Sequence, residues 1–140
     1  MAVIRWPAQL PCSFLRDALS GAMPDSLLRA QMQTGPGKVR RRTATGVASL
    51  AGTLMLDFAD RARLDRFYAE ETLGGARVFS FPNPLAHNAP LLRADKTVIT
   101  RADGTPLLVS SHLLVRFASA PQFASVGSSW RCSLALEVLP

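Results

Sequence analysis

The clearest alternation of apolar and polar positions lies at the end of the chain. Over residues 130–139, Trp130, Cys132, Leu134, Leu136 and Val138 take one phase, and Arg131, Ser133, Ala135 and Glu137 take the other. A period of two places these sets on opposite faces of a strand. Residues 47–58 repeat the pattern, with Leu54, Leu56 and Phe58 set against Thr53, Met55 and Asp57. Residues 27–34 and 39–45 read as two strands of a hairpin joined by Gly35-Pro36-Gly37, since glycine permits positive φ and proline removes a donor. Residues 76–81 form a short strand stopped by Pro82-Asn83-Pro84, and residues 113–117 form another. Segments 90–94 and 96–101 are weaker strands. Asp103-Gly104 marks a tight hairpin before Leu107, Leu108 and Val109, and residues 121–128 read as a loop.

One segment changes period. Residues 60–72 predict a helix, with Asp60 as its cap and Leu64, Phe67, Tyr68 and Leu73 on an apolar stripe. Arg61 with Asp65, and Arg66 with Glu70, are spaced to pair along its surface. Gly74-Gly75 ends it, because glycine enters the left-handed conformation without a Cβ penalty. Many short strands and one helix predict a mainly β (α+β) fold. The expected architecture is an antiparallel β-sandwich or open barrel with one packed helix. No internal repeat is expected.

Residues 1–26 break every period. Pro7, Pro11, Gly21 and Pro24 interrupt them, yet Trp6, Leu10, Phe14 and Leu15 are large apolar groups. A short helix over 13–19, capped by Ser13, fits locally. The segment is expected to be an extended N-terminal arm whose anchors lie on its own domain or on a neighbouring subunit. Trp6 and Phe14 are the candidate inter-subunit contacts. Residues 27–140 then form a single β-rich domain with a hairpin insertion at about 85–110.

Composition narrows the function. The chain has 140 residues, 48% hydrophobic and 19% charged, enough for one domain with a real core. No apolar run approaches the roughly 18 residues that span a bilayer, and no signal peptide is expected, so assembly in a cytoplasm is anticipated. Cys12 and Cys132 form no CxxC pair, and His87 and His112 complete no metal-ligand spacing. Both thiols are expected reduced, with Cys132 as core filling, and no cofactor is expected. There is no phosphate loop, dinucleotide fingerprint or nucleophile elbow. Glu70 and Glu71 point about 100° apart on a helix, so they make no acid–base pair. Ser111, His112 and Asp103 could be assembled on paper, but a strand histidine with a structural hydrogen bond is the simpler reading. No enzymatic activity is expected.

The net charge is +6, with Lys38, Arg40, Arg41 and Arg42 clustered on the first hairpin. On a strand, Arg40 and Arg42 share one face, and Val39 and Arg41 the other. A face with two arginines is not core, and no aromatic residue interleaves the cluster to stack on bases. The cluster is therefore expected to be an inter-subunit contact, with Arg41 near an edge or on a carboxylate. A basic nucleic-acid-binding module is the alternative from another class.

Several segments in order resemble a known family. The run Leu28-Arg29-Ala30-Gln31-Met32-Gln33-Thr34-Gly35-Pro36-Gly37-Lys38-Val39-Arg40-Arg41-Arg42 resembles the opening hairpin of phage tail-tip subunits. Leu64, Phe67 and Tyr68 are similar to that family's helix core. Gly74-Gly75-Ala76-Arg77-Val78-Phe79-Ser80-Phe81-Pro82 and the closing Trp130 to Pro140 are similar to its later strands. The layout resembles the minor tail protein M family of lambda-like phages and the distal tail proteins of gene transfer agents. The resemblance implies a β-fold related to the tail tube, homo-oligomeric rings (commonly hexamers) and no enzymatic activity. It also implies neighbours among tail-tube and tail-tip hub proteins, with DNA only as passing cargo and no membrane partner. The expected location is the virion tail. Tail-tube, tail-completion and tail-terminator roles are alternatives within the same class, and the insertion at 85–110 departs from the shorter family pattern.

Overall fold

The computed structural model describes residues 3–15 and 18–140. The strands are β1 (Ile4–Arg5), β2 (Ser20–Ala22), β3 (Leu27–Ala30), β4 (Lys38–Arg41), β5 (Ala48–Leu56), β6 (Phe79–Pro82), β7 (His112–Phe117), β8 (Gln122–Val126) and β9 (Ser129–Val138). One helix, α1 (Phe58–Arg66), runs into a π-helical turn over Phe67–Glu71. Among the described residues, seven strands form one sheet in the order β1-β6-β7-β9-β5-β2, and β8 also pairs with β9. β1 and β6 are parallel and the other pairs antiparallel. β9 is the spine. Trp130 to Val138 pair with β5 on one side, and β7 and β8 share the other.

The sheet's alternation decides what is buried. Leu50, Leu54 and Leu56 of β5 face inward with Cys132, Leu134 and Leu136 of β9, Val115 and Phe117 of β7, and Phe79 and Phe81 of β6. Leu64 and Phe67 come from the helical segment, and Trp6 and Leu10 from the N-terminal segment. The aromatic rings interlock. Phe67 meets Trp6 at 5.5 Å and Phe79 at 5.2 Å between centroids, and Trp6 meets Phe81 at 4.9 Å. Edge-to-face pairs at these distances add about 0.5 to 1.5 kcal/mol each beyond area burial.

This corrects two expectations. The fold is mainly β with one helix, as expected, but among the described residues no second sheet covers the first, so it is not a sandwich. The end strands β1 and β2 do not pair, which leaves the sheet open, and the parallel β1–β6 pair makes it mixed rather than wholly antiparallel. The helix and residues 6–14 form the second layer instead. The extended arm is corrected with it. Trp6 is only 7% exposed and lies in this chain's own core, with its indole N–H donating to the Pro11 carbonyl at 3.3 Å. Phe14, half-buried, stacks on Phe81 at 5.7 Å. Burial of these rings on the nearest apolar face, and pairing of β1 and β2 with the main sheet, fold the segment back. Part of the helix expected over 13–19 lies outside the described residues. On its flank Ala18 and Leu19 both donate backbone N–H groups to the Leu15 carbonyl at 3.1 Å.

Gly52 makes room for Phe14. A Cβ at position 52 would stand 2.4 Å from the Phe14 ring. Phe14 thus touches both β5 and β6, three places apart in the strand order and about 14 Å apart in a flat sheet, so the sheet curls around its core. Gly52→Ala is expected to cost about 1 to 3 kcal/mol through overpacking. Chemical denaturation measures this, and an unchanged midpoint would mean that Phe14 moves aside freely.

The helix starts earlier than the pattern predicts. Asp57 is the cap, its carboxylate accepting from the Asp60 N–H at 2.7 Å. The turn into the helix ends the strand alternation at Leu56, so Phe58 is 80% exposed rather than in line with Leu54 and Leu56. Arg66 lies 3.9 Å from Glu70 as expected. Arg61 does not pair with Asp65. Its guanidinium lies 4.0 Å from the Trp130 ring centre and 4.7 Å from that of Phe123, fastening the β8–β9 hairpin to the helix. Its Nε is buried with no protein hydrogen-bond partner. Arg61→Ala is expected to cost about 1 to 2 kcal/mol, and Lys to restore only part, because an ammonium does not stack as a guanidinium does. Thermal melts test this, and full restoration by Lys would exclude stacking as the cause. The helix ends at Thr72, with Leu73, Gly74 and Gly75 in the left-handed region.

The segment expected as a loop at 121–128 contains β8. Four of its five residues are exposed, so little apolar alternation marks it. The insertion holds a larger surprise. Residues 90–94 and 96–101 form no extended strands, only single bridges Pro90–Leu108, Leu92–Val98 and Thr100–Pro106. Each of three short segments therefore pairs with the other two. The Leu91, Ile99 and Leu107 backbones close the triangle, each N–H donating to the next carbonyl at 2.9 Å. The spacing exposes an eight-residue repeat, Arg93-Ala94-Asp95-Lys96-Thr97 and Arg101-Ala102-Asp103-Gly104-Thr105. The expectation of no internal repeat was therefore wrong. In both turns the Asp carboxylate accepts from the Thr N–H at 3.0 Å and the Thr hydroxyl at 2.6 Å. Those bonds hold both carboxyls below their usual range, the hydroxyl contributing most. Lys96 and Gly104 occupy the left-handed position that each turn requires.

Candidate interaction surfaces

The cationic hairpin stands apart from the core. β3 and β4 form their own two-stranded sheet, and every residue in both is exposed. Its register places Leu28 opposite Arg40 and Ala30 opposite Lys38, so these four share a face. With Val39 they line a cleft of about 530 Å³. Leu27, Arg29, Val39 and Arg41 share the opposite face. Both outer edges of the pair are free of strand partners among the described residues. A two-stranded ribbon alone is marginal in water, and free edges invite further strands.

The four predicted cations do not act alike. Lys38 and Arg40 point to one face together, as expected from alternation. Arg41 is committed within the chain, where its guanidinium donates to the Thr43 carbonyl at 3.0 Å and to that of Ala44. It pairs with backbone carbonyls rather than a carboxylate, because the chain turns back under its side chain just after β4. Arg42 lies past the strand, its N–H donating to Ser26 at 2.6 Å. Arg29, on the facing strand, pairs with Asp25 at 2.6 Å. That hydrogen bond, first among the causes, holds the Asp25 carboxyl below its usual range. Trp6 and Phe14, the other predicted contacts, are the core residues described above. The structure brings none of the cations to them.

The root of the insertion holds both histidines. Their rings meet edge to face at 4.7 Å. The Ser111 N–H donates to His87 Nδ1 at 3.2 Å, and Asn83 donates to the Ser111 hydroxyl at 3.3 Å. Cys12 shares a cleft of about 250 Å³ with His87, Asn83 and Asn88. The Ser111 contact makes Nδ1 an acceptor, so neutral His87 carries its proton on Nε2 and has no free nitrogen to activate the thiol. The Asp103 carboxylate is tied to Thr105. The set Ser111, His112 and Asp103 has no hydrogen bonds among its members. No group of three or more His, Cys, Asp or Glu is placed to hold a metal ion among the described residues.

The two thiols differ. Burial, with a smaller contribution from the Asp65 carboxylate, pushes Cys132 up to about 12. Cys12 is half-exposed. Alkylation of the native protein at mildly basic pH is expected to label Cys12 and spare Cys132 until unfolding. A raised thiol pKa stabilises the fold below the unfolded value of about 8.5 and loses that contribution as pH rises toward 12. Mass spectrometry after iodoacetamide reads the first effect, and equal labelling of both thiols in the native state would contradict it.

No helix among the described residues is long and apolar enough to cross a membrane. Neither a protein-family model nor a curated protein matches this sequence.

Proposed function

We propose that this chain is a structural subunit of a bacteriophage-type tail, of a siphophage or a gene transfer agent, and forms a ring at the tail tip. The observation that carries the reading is the β3–β4 hairpin. It exposes Leu27, Leu28 and Val39 beside Lys38 and Arg40, and both of its strand edges are unpaired among the described residues. Surface of this kind on a small domain favours burial against another subunit. A heterologous contact between identical subunits gives a ring when its rotation closes, and in this proposal it does. The order of motifs that resembles tail-tip proteins supports the same reading, as do the structural roles taken by His87 and Asp103. In this proposal the ring is homo-oligomeric, commonly a hexamer. It sits in the virion tail between tail-tube and hub proteins, is assembled in the bacterial cytoplasm, and passes DNA only as cargo. It needs no cofactor and catalyses no reaction. Tail-tube, completion and terminator positions share this chemistry.

The test replaces Arg40 and Arg42 with Gln. Both are exposed, so the melting midpoint of the free protein is expected to move by no more than about 0.5 kcal/mol in stability. Tail assembly, scored by electron microscopy of particles, is expected to fail. Normal tails that fail only when DNA is ejected would turn the hairpin toward DNA instead. A reconstruction with this chain as one copy off the tail axis would end the ring reading.

A further inference from the structure

The sheet's outer edge at β1 lies apart from that hairpin and does not depend on the ring reading. β1 is terminal in the strand order and, among the described residues, pairs only with β6. The Trp6 N–H donates to the Ser80 carbonyl at 2.9 Å, so Ile4 and Trp6, two residues apart, aim their backbone groups at β6. Arg5 lies between them and turns its N–H and C=O to the open side, because backbone direction alternates along a strand. Two clefts border this edge. One, about 360 Å³, is lined by Arg5, Trp6, Ser80, Pro82 and His112. The other, about 400 Å³, is lined by Val3, Ile4, Arg5, Glu71 and Arg77. The first presents a guanidinium, an imidazole and a hydroxyl, and no carboxylate. Arg5 has no ion pair among the described residues. The second is apolar at Val3 and Ile4.

We propose that the open edge of β1 docks an extended segment of another polypeptide that alternates acidic and apolar side chains. Its backbone pairs with the N–H and C=O of Arg5. Its side chains then point alternately to the two faces of the sheet. Acidic groups enter the Arg5–His112 cleft, where the planar guanidinium grips a carboxylate with two parallel bonds. Apolar groups enter the cleft of Val3 and Ile4. A basic segment meets two guanidinium groups, Arg5 and Arg77, against the single carboxylate of Glu71. This chain's most regular alternating segment, which ends in Glu137 and Val138, is held in β9 with Glu137 on Arg116, so a second folded copy does not offer it.

The experiment titrates the full, isotope-labelled chain with a blocked heptapeptide of alternating Glu and Val, and with its Gln–Val analogue. Amide shifts are expected at residues 3–6, Ser80 and His112. The Gln analogue is expected to bind about tenfold more weakly, the equivalent of about 1.4 kcal/mol. Arg5→Gln should weaken the Glu peptide by a similar factor, and Arg40→Gln with Arg42→Gln should leave it unchanged. The peptide comparison stands even if the Arg5 variant folds poorly. Equal affinity for both peptides, no binding of either, or shifts confined to the β3–β4 hairpin would overturn the proposal.

Discussion

Phe67→Ala is expected to destabilise the protein by about 3 to 5 kcal/mol, the range for emptying a fully buried aromatic site. Phe67 is 1% exposed and touches the rings of Trp6, Phe79 and Phe117. It stands where the α-helix widens into the π-turn, so its loss removes the largest of the side chains that tie the helical layer to the sheet, beside Leu64 and Arg61. Neighbouring rings are held by their own strands and collapse poorly into the gap. In a chain of this size each kcal/mol moves the melting midpoint by roughly 2 to 4 °C, so a fall of roughly 6 to 20 °C is expected in a circular-dichroism melt. A midpoint that does not move would remove the helix from the core and undo this account of the fold.

Trp6→Ala is expected to have an effect of the same size, about 3 to 5 kcal/mol, in the isolated protein. The outcome separates two roles for the N-terminal segment. A tryptophan reserved for a neighbouring subunit would leave the free chain's stability intact and harm only assembly. Trp6 instead lies against Phe67, Phe79 and Phe81, and its indole N–H is satisfied by Pro11. Its removal should therefore unfold the monomer early and loosen β1 from β6. Unchanged melting with failed assembly would return Trp6 to the interface and reopen the arm.

Strands with one face buried declare themselves in the sequence, because the side-chain period is two. β5 and β9 were legible for that reason, and their inward residues Leu54, Leu56, Cys132, Leu134 and Leu136 form the core that alternation predicts. The first hairpin was legible from Gly35-Pro36-Gly37, although its strands stop at Leu27–Ala30 and Lys38–Arg41, short of the expected 27–34 and 39–45. The helix was legible from its spacing of Leu64, Phe67 and Tyr68. Lys38, Arg40, Arg41 and Arg42 were legible as surface, since unpaired charge is too costly to bury.

The tertiary structure decided the rest. The apolar groups of residues 1–26 had no period, so the sequence could not say whether Trp6 and Phe14 cover their own sheet or another's. Only the open inner face and the notch at Gly52 place them. Asp57 and Asp60 are both acceptable caps by residue type, and backbone geometry chose Asp57. Arg61 was spaced for Asp65, yet the rings of Trp130 and Phe123, distant in sequence, hold it. The triangle at Leu91, Ile99 and Leu107 is made of single bridges too short to show alternation, and only the Arg-Ala-Asp repeat could have signalled it. Local sequence determined which residues must be hidden and where the chain could turn. Which apolar groups meet, and which edges stay open, depend on contacts between distant segments, which no local period encodes.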